Sequence, residues 1–167
     1  ASSPALPGQS PLFRRTFSVE DTPRRARAYI CGLGYYELRL NGRKVGDHVL
    51  DPAWTDYTKR VCYVTYDITG MIRKGVNTVN VILGEGWYGN RLDRSFPKRN
   101  PHWLDTPRFI LQIHIDGADG HRLVLTSTAS DEWRTAPGPI TKNSIYDGET
   151  FDARLEQPGW DLPDPQP

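Results

Sequence analysis

Cysteine occurs twice and methionine once in the 167 residues, and no strong charge of either sign is present. Cys31 and Cys62 both sit in apolar, strand-like runs, and nothing in their spacing demands a bridge, so two buried thiols are expected in place of a disulfide. Lys and Arg (21) nearly cancel Asp and Glu (20). The basic residues are spread along the chain, which excludes an electrostatic nucleic-acid surface. No apolar run approaches the ~20 residues of a membrane-spanning helix, so no membrane partner is expected. The four histidines (His48, His102, His114 and His121) lack zinc-ligand spacing. No Gly-rich loop opens a helix, and no serine elbow or cysteine-nucleophile signature appears, which removes phosphate-cradle and Ser/Cys hydrolase readings. The opening residues lack the basic start and apolar middle of a secretion signal. A processed protein would look the same, so cytoplasmic and secreted or periplasmic locations both stay open.

What is present is period-two alternation, the mark of half-buried strands. Tyr36, Leu38 and Leu40 alternate with Glu37 and Arg39. Asn41-Gly42 follows, supplying the positive φ angles of a tight hairpin turn, before Arg43-Lys44-Val45 resumes. A strand is expected over Val61 to Tyr66, with Val61, Tyr63 and Thr65 on one face. Another is expected over Thr78 to Leu83, with Val79, Val81 and Leu83 in phase. Phe109, Leu111, Ile113 and Ile115 give the longest clean alternation, and the turn at 116–120 leads to a strand over Arg122 to Thr126. Helix is scarce: Thr69 to Lys74, ended by Gly75, reads as one short turn. Short strands with turns between them predict an all-β fold, a β-sandwich of antiparallel sheets. A chain of this length fits one domain.

The stretch from Gly84 to Pro107 breaks the alternation and, as a long loop, is a place to look for function. Trp87, Tyr88, Asn90 and Arg91 offer aromatic faces for sugar C–H groups beside amide and guanidinium partners for hydroxyls. The bland reading of Trp87 is that it plugs one end of the sandwich; Trp54 is either a rim contact or a core cap. Asn41 is first a turn residue, with an amide that can also face a sugar or a hard cation such as calcium. Glu85, Asp93, Asp147, Glu149 and Asp152 lie in loop-like segments. With 20 acidic residues in the chain, such loop pairs arise by chance, and a sandwich does not itself imply an active site.

The run Tyr36-Glu37-Leu38-Arg39-Leu40-Asn41-Gly42-Arg43-Lys44-Val45-Gly46-Asp47 resembles the Y-E-x-x-x-N-G-x-x-V-G-D run of the bacterial α-L-rhamnosidase N-terminal domain. The resemblance continues through Leu50 to Tyr57, Thr65 to Thr69, Gly75-Val76-Asn77 and Leu83 to Tyr88. Tyr146 to Arg154 and Pro158-Gly159-Trp160 look like the closing signature of that domain. Order and spacing agree over residues 11 to 160. One departure is that many members carry Arg-Gly after Gly-Trp-Tyr, where this chain has Gly89-Asn90.

The resemblance implies a jelly roll like that of galactose-binding domains. It also implies an accessory role, with no catalytic residue in this chain, beside a helical-toroid catalytic domain that removes terminal L-rhamnose. On that footing residues 1–10 are a flexible leader, 11–160 the sandwich, and 161–167 the start of a linker to the catalytic domain; by composition alone the linker begins at Gln157. The expected partners are that catalytic domain and L-rhamnose-containing glycans. The carbohydrate contacts would fall to Asn41, Trp87, Tyr88, Asn90 and Arg91. Some relatives of the domain bind rhamnose through calcium, so Ca2+ is the cofactor to test. A calcium-dependent rhamnose-binding module and the sugar-binding sandwich of β-galactosidase-type enzymes remain as alternatives.

Overall fold

The computed structural model describes residues 8–89, 103–128 and 132–163. Strands β1 (Pro11–Val19), β3 (Tyr35–Leu40), β4 (Arg43–Lys44), β6 (Gly75–Gly84) and β9 (Arg134–Pro137) form one sheet in the order β4-β3-β6-β1-β9. Strands β2 (Arg25–Leu33), β5 (Val64–Asp67), β7 (Arg108–Asp116) and β8 (Arg122–Thr126) form a second, in the order β5-β2-β7-β8. Strands β10 (Ile140–Ser144) and β11 (Gly148–Phe151) pair as a separate hairpin. All pairings are antiparallel. The chain crosses between the two main sheets at most connections, as in a jelly roll, so the expected all-β sandwich is what forms.

The alternation translates directly into the core. Leu38 and Leu40 of β3, Val79, Val81 and Leu83 of β6, and Leu111, Ile113 and Ile115 of β7 are all buried and face one another across the sandwich. The Asn41-Gly42 turn has φ of 51° and 80°, with Leu40 paired to Arg43. Those two positive angles make the two-residue turn whose twist matches its strands. The 3-10 turn over Thr69–Met71 occupies the place expected of a helical turn, and Gly75 behind it has φ of 85°.

Three expectations change. The strand placed over Val61 to Tyr66 begins at Val64, and its inward residues are Val64 and Tyr66. Val61, Tyr63 and Thr65 share a face, but it is the solvent face, with Tyr63 65% exposed. The cysteines are free, yet half-buried where full burial was expected, because Cys31 lies on the outer side of β2 while Ala28 and Ile30 point inward. The linker expected from Gln157 or 161 is docked on the sandwich at its start. Asp161 is buried, its carboxylate accepts from Arg39 Nε at 2.6 Å, and its carbonyl accepts from Gly42 N (2.9 Å) and Asn80 Nδ2 (3.2 Å).

Two side-chain amides organise the polar groups at the start of β6. The Asn77 side chain is wholly buried. Its oxygen accepts from Asn41 Nδ2 (2.8 Å) and Arg73 N (3.0 Å), and its amide donates to the carbonyls of Arg73 (2.7 Å) and Gly75 (3.0 Å). Asn41 in turn donates to Met71 O at 2.9 Å and accepts from Thr78 N at 2.8 Å. These two amides staple the β3–β4 turn to the start of β6. Arg15, inward on β1, is buried but donates to Thr126 O at 2.7 Å and pairs with Glu132.

Asn77→Ala removes four hydrogen bonds that hold the 73–75 turn and Asn41 to β6, so it should cost about 3 kcal/mol. Urea unfolding should show a lower midpoint with an unchanged slope. Burial, aided by the hydrogen bond it donates to Asp51, pushes the Tyr66 phenol from 10.0 up to about 12. The unfolded phenol releases its proton first, so stability present below about pH 10 should fall as pH rises toward 12. Denaturation at stepped alkaline pH should show that decline, and Tyr66→Phe should flatten it.

Candidate functional site

Where β6 ends, the chain turns at Glu85 into a single helical turn, α1 (Gly86–Gly89). Gly86 has φ of 53°, and a Cβ there would stand 2.8 Å from the backbone nitrogen of Tyr35. Only glycine lets the turn press against the junction of β2 and β3. The turn projects Trp87 and Tyr88 from one end of the sandwich. It is tied down by Asn143 of β10, whose side-chain oxygen accepts from Glu85 N at 2.7 Å. The Asn143 amide donates to Gly8 O (2.7 Å) and Ser10 Oγ (3.0 Å), and Glu85 Oε1 accepts from Gly8 N at 3.1 Å.

Around α1 the aromatic rings form a continuous wall. Trp54 stacks on Trp87, with ring centroids 5.2 Å apart and planes inclined by 27°. Tyr146, at the tip of the β10–β11 hairpin, meets Trp87 edge-on at 5.7 Å. Tyr57 lies edge-on to both Tyr88 (5.3 Å) and Trp103 (5.9 Å). Trp103 Nε1 donates to Trp87 O at 3.4 Å. Trp87 is half-buried, whereas Trp54 is 57% and Tyr146 48% exposed. Burial pushes the Tyr57 phenol up to about 12. It also raises Tyr35, opposed by a hydrogen bond from the Trp87 side chain. The wall offers ring faces and edges as its contacts.

Of the residues singled out from the sequence, Trp87 and Tyr88 belong to this wall. Trp87 is half-buried at this end of the sandwich and lies against the exposed Trp54 ring. Asn41 lies at the opposite end of the β3–β6 ladder, since Leu40 pairs with Val79 while Tyr35 pairs with Gly84. Its oxygen and its amide nitrogen are engaged by Thr78, Met71 and Asn77, so its oxygen is not presented to a cation. Asn90, Arg91 and Asp93 lie outside the described residues. Of the other loop acids, Glu85 accepts from Gly8 N and Glu149 lies in β11. Asp147 stands 3.5 Å from Lys142 Nζ, and Asp152 caps the 3-10 turn at 153–155. Arg154 beside Asp152 holds that carboxyl below its ordinary range. Among the described residues no three His, Cys, Asp or Glu side chains converge. The sequence reading did not join Tyr57, Trp103 and Tyr146 to the wall; their aromatic type was the available signal, but only the fold brings them together.

Residues 21–166 match the family model for the α-L-rhamnosidase N-terminal domain. An α-L-rhamnosidase of Formosa agariphila is 42% identical over 89% of this chain, which covers 16% of that protein. Among solved structures, an α-L-rhamnosidase from Dictyoglumus thermophilum superposes with a TM-score of 0.82 at 44% identity, over 95% of this chain and 16% of that one. The α-L-rhamnosidase of Streptomyces avermitilis, solved with L-rhamnose, gives 0.86 at 37% identity, over 96% of this chain and 15% of that one. The chain thus spans about one sixth of the relatives it matches. With agreement in sequence, length of match and backbone, this chain belongs to the α-L-rhamnosidase N-terminal domain family.

Proposed function

We propose that this chain serves as the accessory domain of an α-L-rhamnosidase, supplies no catalytic group, and packs its aromatic end wall against the catalytic domain of the same polypeptide. The observation that carries this reading is the exposure of Trp54 and Tyr146 on either side of Trp87. Large rings held in fixed geometry at the surface are the usual anchors of an interface, because their area is buried at little entropic cost. The matched relatives are about six times longer than the chain, which supplies a partner close at hand. Glu85, Asn143 and Gly8 lock the base of the wall, so it is preorganised for contact.

A second reading is favoured by the same open Trp54 face: a pyranose ring stacks on such a surface through its C–H groups. In that case the wall holds an L-rhamnose-bearing glycan beside the enzyme, with calcium as the ion to be tested.

In the full-length polypeptide, the double substitution Trp54→Ala with Tyr146→Ala should expose the boundary after this domain to limited proteolysis. The same pair should lower the stability of the chain alone by only about 2 kcal/mol. Unchanged cleavage of the full-length protein would sink the docking reading. Calorimetry of the chain against L-rhamnose, with calcium and with chelator, decides the second: heat abolished by Trp54→Ala supports it, and no heat in either condition removes it.

A further inference from the structure

The outer face of the second sheet carries a separate feature, away from the aromatic wall. Alternation along β2 puts Ala26, Ala28 and Ile30 inside and therefore Arg25, Arg27 and Tyr29 outside. On the neighbouring β7, Asp116 pairs with Arg25, His114 with Arg27 and Gln112 with Tyr29; across β8, Arg122 pairs with Asp116. Arg25, Arg27, Tyr29, His114, Asp116 and Arg122 together line a cleft of about 110 Å³. The Tyr29 and His114 rings form one side, with centroids 5.2 Å apart.

Positive charge exceeds negative here: Arg25, Arg27 and Arg122 stand with Asp116 in the cleft, and Asp67 lies beside Arg27. Asp116 is taken by Arg122 Nε at 2.5 Å. Asp67, the register partner of Arg27 on β5, accepts from the Thr69 hydroxyl and backbone nitrogen at 2.6 and 2.9 Å and keeps its negative charge beside Arg27 and Arg25. Among the described residues, the Arg25 and Arg27 side chains make no hydrogen bond and no ion pair. Two guanidinium groups whose donors are left open, with Asp67 and Asp116 only as charge neighbours and two rings alongside, match an anion carried on a ring.

We propose that this cleft binds the acidic group of an anionic saccharide, a uronate carboxylate or a sulfate ester, with Arg25 and Arg27 as the anion ligands and Tyr29 as the platform for the sugar ring. The assignment of a saccharide rests on the proposed reading of this chain as the accessory domain of an α-L-rhamnosidase. It does not depend on what covers the aromatic wall.

Chemical-shift titration of the chain with trigalacturonate, with its methyl ester and with galactose 6-sulfate separates the two anions from the neutral sugar. Shifts should appear at Arg27, Tyr29 and His114 with the charged probes and not with the ester. Arg27→Gln should weaken binding about tenfold or more, and added salt should weaken it further. Trp54→Ala should leave it unchanged. Whichever charged probe binds more tightly identifies the anion. Equal binding of the ester, equal binding of inorganic sulfate at matched ionic strength, or unchanged affinity in Arg27→Gln and Arg25→Gln chains that melt normally would each overturn the assignment.

Discussion

The sandwich depends on β6 being covered on every side. It pairs with β1 along one edge and β3 along the other, and five consecutive residues, Asn77 to Val81, are buried. Val79 and Val81 face the second sheet, which is the familiar half of the arrangement. The other half is polar: Thr78 and Asn80 face outward, and the segment around Asp161 closes over them. A strand buried on both faces cannot leave its amides to solvent. Asn77, Asn41 and Asp161 are there because the backbone around β6 needs acceptors and donors that water cannot supply.

The aromatic wall follows from the same strand. Gly84 is the last residue paired to β3, and the chain must reverse at once, so a glycine with positive φ at 86 brings α1 against Tyr35. Trp87 and Tyr88 are thereby fixed in direction by the end of the ladder. Asn143 does for this end what Asn77 does for the other: one amide joins three separate segments, at Gly8, Glu85 and β10. The two asparagines hold opposite ends of the sandwich, and the aromatic wall stands at the Asn143 end.

Much of this was legible in order and phase. The runs up to Leu40 in β3, Leu83 in β6 and Ile115 in β7 show strict alternation of bulky apolar residues, and Asn41-Gly42 states its own turn. The pattern is weaker in β2, where the inward residues include Ala26 and Ala28, whose small side chains give little contrast. Val61 and Tyr63 mislead for a different reason: β-branched and aromatic residues favour strands whichever way they face. Asn41 looked available because a turn residue usually points to water; its partners on β6 are more than thirty positions away in sequence. No local pattern shows that. The aromatic wall draws on four separate stretches, and the basic cleft on three strands, so both require the pairing register before they can be seen.

The docked segment at 160–162 bears on where this kind of domain should be divided from its neighbours. Composition turns to proline and aspartate at Gln157, and a cut made there would look prudent. It would strip the carboxylate from Arg39 and the carbonyl from Gly42, and would open Asn80 to water. Arg14 would lose the Leu162 carbonyl as well. The contacts of the sandwich therefore run through Leu162, and an excision that respects them keeps the lid on the strand from which the rest is hung.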